Sequence, residues 1–189
     1  MTKALAWLEA PRPTPVAAVL PAPGGLAGER YDGLLVATPG GGLAPVDVLA
    51  RPASRAWSLR DAVPAGAALS RIAAVWVHTG RLCPERVEVV VDPGRRLHAG
   101  AVVHRQQLEE ADVVVLGGVP TTTPLRTAVD LLCFTEEQLA VAGACALVLG
   151  GLAPPLVHEA LTRPGRRAPV RRAMALLAAA EDAARRRRP

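Results

Sequence analysis

Arginine is where this sequence concentrates its chemistry. Nine arginines (163, 166, 167, 171, 172 and 185–188) stand between Arg163 and Pro189 against only Glu181 and Asp182, a formal net charge of about +7, while everything before them sums to about −2. Guanidinium forks suit phosphate oxygens, and a run of this density contacts a nucleic-acid backbone without reading its sequence. Arg163, Arg166 and Arg167 fall in a stretch broken by Pro164 and Gly165, and Arg171 and Arg172 open a helical pattern. These five are the candidate DNA-contacting residues. The competing reading is a solvated helix with a frayed tail over Arg185–Arg188. No aromatic residue is interleaved with the arginines, so stacking on single strands is not indicated.

The remaining reactive side chains do not assemble into a recognisable catalytic pattern. Of the histidines (78, 98, 104 and 158), His98 and His104 flank a strand entry and could face one another, but no carboxylate pair adjoins them. Glu109, Glu110 and Asp112 read as a solvated acidic turn in preference to a cation site. Pro39-Gly40-Gly41-Gly42 lacks the Lys-Ser/Thr of a phosphate loop and reads as a turn. Three cysteines (83, 133 and 145) in 189 residues exclude a disulfide scaffold, and their spacing does not suit zinc. Cys133 and Cys145 sit in apolar helical runs and are expected to pack as small hydrophobes. The reading is a non-enzymatic protein with no metal or cofactor.

These residues must be positioned by a folded core, and half of the chain is apolar. That content excludes disorder throughout. Residues 1–60 are Pro/Gly-rich, with strands expected at Leu34–Ala37 and Val46–Leu49 and a short helix over Lys3–Glu9. Residues 61–162 form an α+β core. A helix is expected from Ala67 to Thr79, because Leu69, Ile72, Ala73 and Trp76 share one face and Gly80 stops it. Strands at Arg86–Val91, Ala101–Gln106 and Asp112–Leu116 suit an antiparallel meander, the last of them central because it is continuously apolar. Thr123 caps a helix with Pro124 at its first position, and Thr135-Glu136-Glu137-Gln138 reads as a capping box for another ending at Leu149. Arg126 and Asp130 are placed to pair across one turn. Helices over Pro155–Leu161 and Pro169–Arg187 follow, so residues 163–189 form a basic helix and tail. The fold class expected is α+β, a small mainly antiparallel sheet packed by helices, with a helical C-terminal half and an irregular N-terminal part.

Residues 139–157 carry no charged side chain, yet the unbroken helix-forming part is Leu139–Leu149, about 16 Å at the helical rise, against roughly 30 Å of hydrocarbon. It reads as a buried core helix. With no signal peptide apparent after Lys3, the expected protein is soluble and cytoplasmic.

Two stretches, Ser70-Arg71-Ile72-Ala73-Ala74-Val75-Trp76-Val77-His78-Thr79-Gly80 and Gly118-Val119-Pro120-Thr121-Thr122-Thr123-Pro124-Leu125-Arg126-Thr127-Ala128-Val129-Asp130-Leu131, together resemble the core domain of the AbiEi family of antitoxins, widespread in actinobacteria. Gly118, Pro120, Thr121, Thr122, Pro124, Arg126, Thr127, Asp130 and Leu131 fit the second motif in register, and Arg71 stands where the family often has His. Ser70, Trp76, Gly80, Pro120, Thr121, Pro124, Arg126 and Asp130 are thereby marked as structural motif residues. The resemblance spans roughly residues 60–180 and implies a regulator of a toxin–antitoxin operon. Family members usually carry an N-terminal winged helix or a C-terminal nuclease-like extension, and neither is legible here. The function implied is contact with DNA through the arginine cluster, with a toxin partner through the core, or both. The alternatives are an interaction domain without a nucleic-acid role and a subunit of a nuclease-like system that takes its acidic residues from a second chain.

Overall fold

A computed structural model describes residues 20–21, 35–94, 100–163 and 169–187. The expected helix at Lys3–Glu9, His98, Arg166, Arg167 and Arg188 lie outside them. The architecture is α+β, with eight strands and six α-helices among the described residues.

A small antiparallel sheet is formed by β1 (Leu20–Pro21), β2 (Leu35–Ala37) and β3 (Gly42–Pro45), in the order β1-β3-β2. The strand expected at Val46–Leu49 begins four residues earlier. Gly41 takes φ +87° in the preceding turn, and Val48–Ala50 form a single 3-10 turn. Helix α1 (Pro52–Ser58) follows with proline at its first position, where the missing N–H costs nothing. It is a regular element inside a stretch that composition alone marks as irregular.

The main sheet contains β4 (Ala67–Leu69), β5 (Glu88–Val91), β6 (Val102–Arg105), β7 (Val113–Leu116) and β8 (Val119–Thr122), ordered β6-β5-β4-β8-β7. The β4–β5 and β7–β8 pairs are antiparallel, while β4–β8 and β5–β6 are parallel. This corrects the expected meander on two counts. First, Ala67–Leu69 is the central strand and not the start of a helix. Ser70 remains extended (φ −141°, ψ 170°), and helix α2 (Arg71–Thr79) begins only after it, closing on Gly80 at φ +72°. Second, Val113–Leu116 is an edge strand. The Gly117-Gly118 pair, at φ +55° and +77°, makes the left-handed two-residue turn that folds β8 back onto β7.

Helices α3 (Pro124–Phe134), α4 (Glu137–Leu149), α5 (Pro154–Thr162) and α6 (Val170–Arg187) complete the described chain. Thr123 caps α3, its hydroxyl accepting the Arg126 N–H at 3.3 Å. The cap of α4 is Glu136, not Thr135. Its carboxylate accepts the N–H groups of Gln138 and Leu139, which hold its pKa below the usual carboxylate range.

Helix α2 serves two cores. Ala73, Trp76 and Val77 pack with α1 and with Leu69, Val89, Val91 and Val119 on one face of the sheet. Ile72 and Val75 turn to the helical core, where Leu131, Leu132, Leu147, Leu161 and Leu177 meet. Cys133 and Cys145 are buried in that second core. Burying a leucine contributes on the order of 1.5–3 kcal/mol, so these five anchor the helical half. Gly143 lets α4 approach closely, since a Cβ there would lie 2.8 Å from Leu131 Cδ1. No helix of the described residues is long and apolar enough to cross a membrane.

Candidate functional site

The junction between β8 and α3 is built around a buried cation. Arg126 occupies the first turn of α3, where the helix dipole disfavours positive charge. It is 8 % exposed, so its charge must be met by neighbours. The Nε donates to both carboxylate oxygens of Asp130, at 3.0 and 2.9 Å. The Nη1 donates to Asp112 Oδ2 at 2.6 Å and to the Gln107 carbonyl at 3.0 Å, and Nη2 donates to Gln106 Oε1 at 3.1 Å. Burial alone would lower its pKa, but the charges and hydrogen bonds of Asp130 and Asp112 outweigh that and raise it. The expected Arg126–Asp130 pair is therefore present. Asp112 departs from the expected solvated turn, because it leaves Glu109 and Glu110 exposed and turns inward to Arg126. Beside this network the hydroxyls of Thr122 and Thr127 are 2.7 Å apart, and Thr121 is fully buried in β8. Pro120 is buried in the same strand, and Pro124 takes the first position of α3.

A second polar group lies across three adjacent strands. Strand register brings Ser70, following β4, opposite Glu88 of β5, with the Ser70 N–H donating to the Glu88 carbonyl. His104 of β6 shares their face, and its Nε2 is 3.8 Å from Glu88 Oε2. The same Glu88 oxygen accepts the Ile72 N–H at 3.3 Å, capping α2 from a neighbouring strand. Ser70, although at the cap position, makes no cap bond, and its buried hydroxyl has no partner. Arg71 takes φ +46°, and its guanidinium lies 5.9 Å from the centre of the Phe134 ring. Burial lowers the Arg71 pKa, partly offset by Glu88 and Asp130. Nucleophile activation needs an imidazole between hydroxyl and carboxylate. Here the carboxylate stands in the middle and β5 separates Ser70 from His104, so the row does not make Ser70 a nucleophile. Among the described residues no three His, Cys, Asp or Glu side chains gather as a metal site.

His78, near the end of α2, lines a cleft of about 420 Å³ with Thr79, Leu125, Leu147 and Leu156. Its Nε2 is 2.8 Å from the Thr122 carbonyl. Burial lowers its pKa, with the Thr122 bond opposing and the Arg55 charge assisting. Below the unfolded value near 6.5 the unfolded chain binds the proton more readily than the folded one. His78 therefore destabilises the fold progressively as pH falls from about 6.5 towards its lower folded pKa. In His78→Gln that part of the pH dependence is expected to disappear from denaturant midpoints measured between about pH 7 and pH 5; an unchanged profile would contradict it.

The arginines separate by helical position. Arg163 is exposed at the end of α5, and Arg171 is exposed in the first turn of α6. Arg172, one residue on, faces the core. Its Nη1 donates to the Leu132 carbonyl at 3.1 Å and its Nη2 to the Thr135 carbonyl at 2.7 Å, with Nε 3.5 Å from Glu137. It thus satisfies the orphan carbonyls at the end of α3 and ties α6 to the α3–α4 corner. At the far end of α6, Arg185, Arg186 and Arg187 are exposed, and Arg185 pairs with Asp182. The outward face of α6 runs Arg171, Ala175, Ala178, Ala179, Asp182, Arg185, while Ala173, Leu176, Leu177, Ala180 and Ala184 are buried. Arg171 and Arg185 are close to four helical turns apart, so they share a side about 21 Å from one another. Sequence reasoning grouped Arg172 with Arg171 because a helix face cannot be oriented without knowing what it packs against.

No protein-family model matches the chain, and no curated protein matches it. Among solved structures it is similar to the RV2827C protein from Mycobacterium tuberculosis, at 20% identity and a TM-score of 0.45, covering 85% of this chain and 68% of that chain. That likeness is too distant to carry a functional argument.

Proposed function

We propose that the protein is a non-enzymatic regulator that contacts DNA through the exposed arginines of α5 and α6. The observation that supports this reading is the outward face of α6. Arg171 stands at one end of a shallow alanine surface and Arg185, paired with Asp182, at the other beside Arg186 and Arg187, and Arg172 ties the helix to the core behind it. A polyanion can approach alanine closely, and phosphate oxygens then meet guanidinium groups from both ends. Contact between these guanidinium groups and phosphate oxygens is electrostatic and does not read sequence, whereas an arginine reaching a guanine edge would add preference for one duplex over another. The resemblance of residues 60–180 to AbiEi antitoxins supports reading this contact as that of an operon regulator, whose α+β core would meet a toxin partner.

The test is anisotropy titration of a generic and an upstream-region duplex between about 50 and 200 mM salt. Each phosphate contact contributes about −0.9 to the log–log salt slope. With Arg185 engaged by Asp182, the four other exposed arginines (163, 171, 186 and 187) set an expected slope of about −3.6. In a variant with Arg163→Ala and Arg171→Ala the slope falls in magnitude by about 2. Preference for the upstream duplex would identify a repressor. Absence of binding by the wild type at about 50 mM salt would overturn the reading.

A further inference from the structure

We propose that β7 is a self-pairing edge, through which two copies of this chain join their five-stranded sheets about a two-fold axis. The backbone pattern shows which groups are available. Asp112 C=O accepts the Thr123 N–H at 2.8 Å, and Val114 and Leu116 stand opposite Thr121 and Val119. Hydrogen-bonded pairs alternate along an antiparallel ladder, so residues 112, 114 and 116 bond inward to β8. Val113 and Val115 turn their peptide groups outward. Val113 N–H is taken by the Glu110 carbonyl, while Val115 and Pro120 form a non-hydrogen-bonded pair. The outer edge therefore presents the Val115 N–H and C=O and the Val113 C=O. Among the described residues no strand lies beyond it.

Natural sheet edges are blunted by lysine, proline, bulges or a covering element. β7 reads Val-Val-Val-Leu, and Val115 is 51% exposed. Helix α1 packs beneath the sheet, on the face of Leu116 and Val119. The opposite edge, β6, is different, since it carries His104 and an exposed Arg105.

A second copy is the occupant that fits. With the axis at Val115, the two Val115 residues exchange N–H···O=C bonds, and Gly118 of one copy falls opposite Asp112 of the other. The acidic turn Glu109–Asp112 then lies beside the Gly117-Gly118 turn, which has no side chains to clash or repel. The two acidic turns stand at opposite ends of the paired strands, with their Asp112 residues roughly 20 Å apart. A charged peptide partner finds no countercharge on β7 itself.

Sedimentation velocity without nucleic acid, over about 5–200 µM protein, tests this. The wild type is expected to move towards twice its 19.7 kDa mass as concentration rises. Val115→Lys should remain at the single mass throughout, and Val115→Thr, which keeps the β-branch, should still associate. Thermal melts confirm that the variants fold. Independently, Val115→Cys in a Cys83→Ser background should form a homodimeric disulfide under mild oxidation. A single mass for the wild type at the highest concentration, association of folded Val115→Lys equal to wild type, or failure of the Val115→Cys variant to cross-link would each overturn the proposal.

Discussion

Arg126→Ala is expected to lower the free energy of unfolding by about 3–5 kcal/mol, the range found when one partner of a buried ion pair is removed. The size follows from what remains. Asp130 is 2 % exposed and would keep a carboxylate without its guanidinium, while Asp112, Gln106 and the Gln107 carbonyl each lose a donor. Replacing Arg126 and Asp130 together by apolar residues of similar volume should cost less than Arg126→Ala alone, because the desolvated charge goes with its partner. A denaturant series on the single and double variants measures both. A loss under about 1 kcal/mol for Arg126→Ala would mean that other neighbours of Asp130, the Arg71 charge among them, meet its carboxylate.

Gly117→Ala should produce a loss of similar order, roughly 2–5 kcal/mol, from two separable causes. A non-glycine residue at φ +55° is strained by about 1–2 kcal/mol. In addition, its Cβ would lie 2.1 Å from the Ala53 carbonyl oxygen, so α1 must move away from the turn. Gly41→Ala isolates the first cause, since Gly41 has φ +87° with nothing within 4 Å of a Cβ. The difference between the two denaturation midpoints is the cost of displacing α1. Equal losses would show that α1 yields freely.

What the sequence disclosed was local. Thr123-Pro124 is a cap followed by a first-turn proline, and Arg126 and Asp130 are one turn apart; both signals close within a few residues. Asp112 and Gln106 reach Arg126 from 14 and 20 positions away, a distance over which neither spacing nor charge pattern specifies contact. Leu69 shows the opposite problem. It fits the apolar stripe of the following helix, but the same side chain serves equally as the inward residue of a strand, and sheet pairing decides. The Gly117-Gly118 turn was a readable hairpin signal between two apolar runs. The central position expected for Val113–Leu116 rests on its continuous hydrophobicity alone, a property that an edge strand can share.

The cap on α2 has a consequence for how the molecule assembles. Ser70 could have capped the helix locally, yet Glu88 supplies the acceptor from 16 residues away. The first turn of α2 therefore gains its cap only after β5 has found β4, and the helix cannot be completed as an independent unit. Helix and strands should open together, so that the slowly exchanging amides of α2 and of β4–β5 report one common opening free energy. A segment that looks like a fast-forming local helix is thus tied to the slower kinetics of strand pairing.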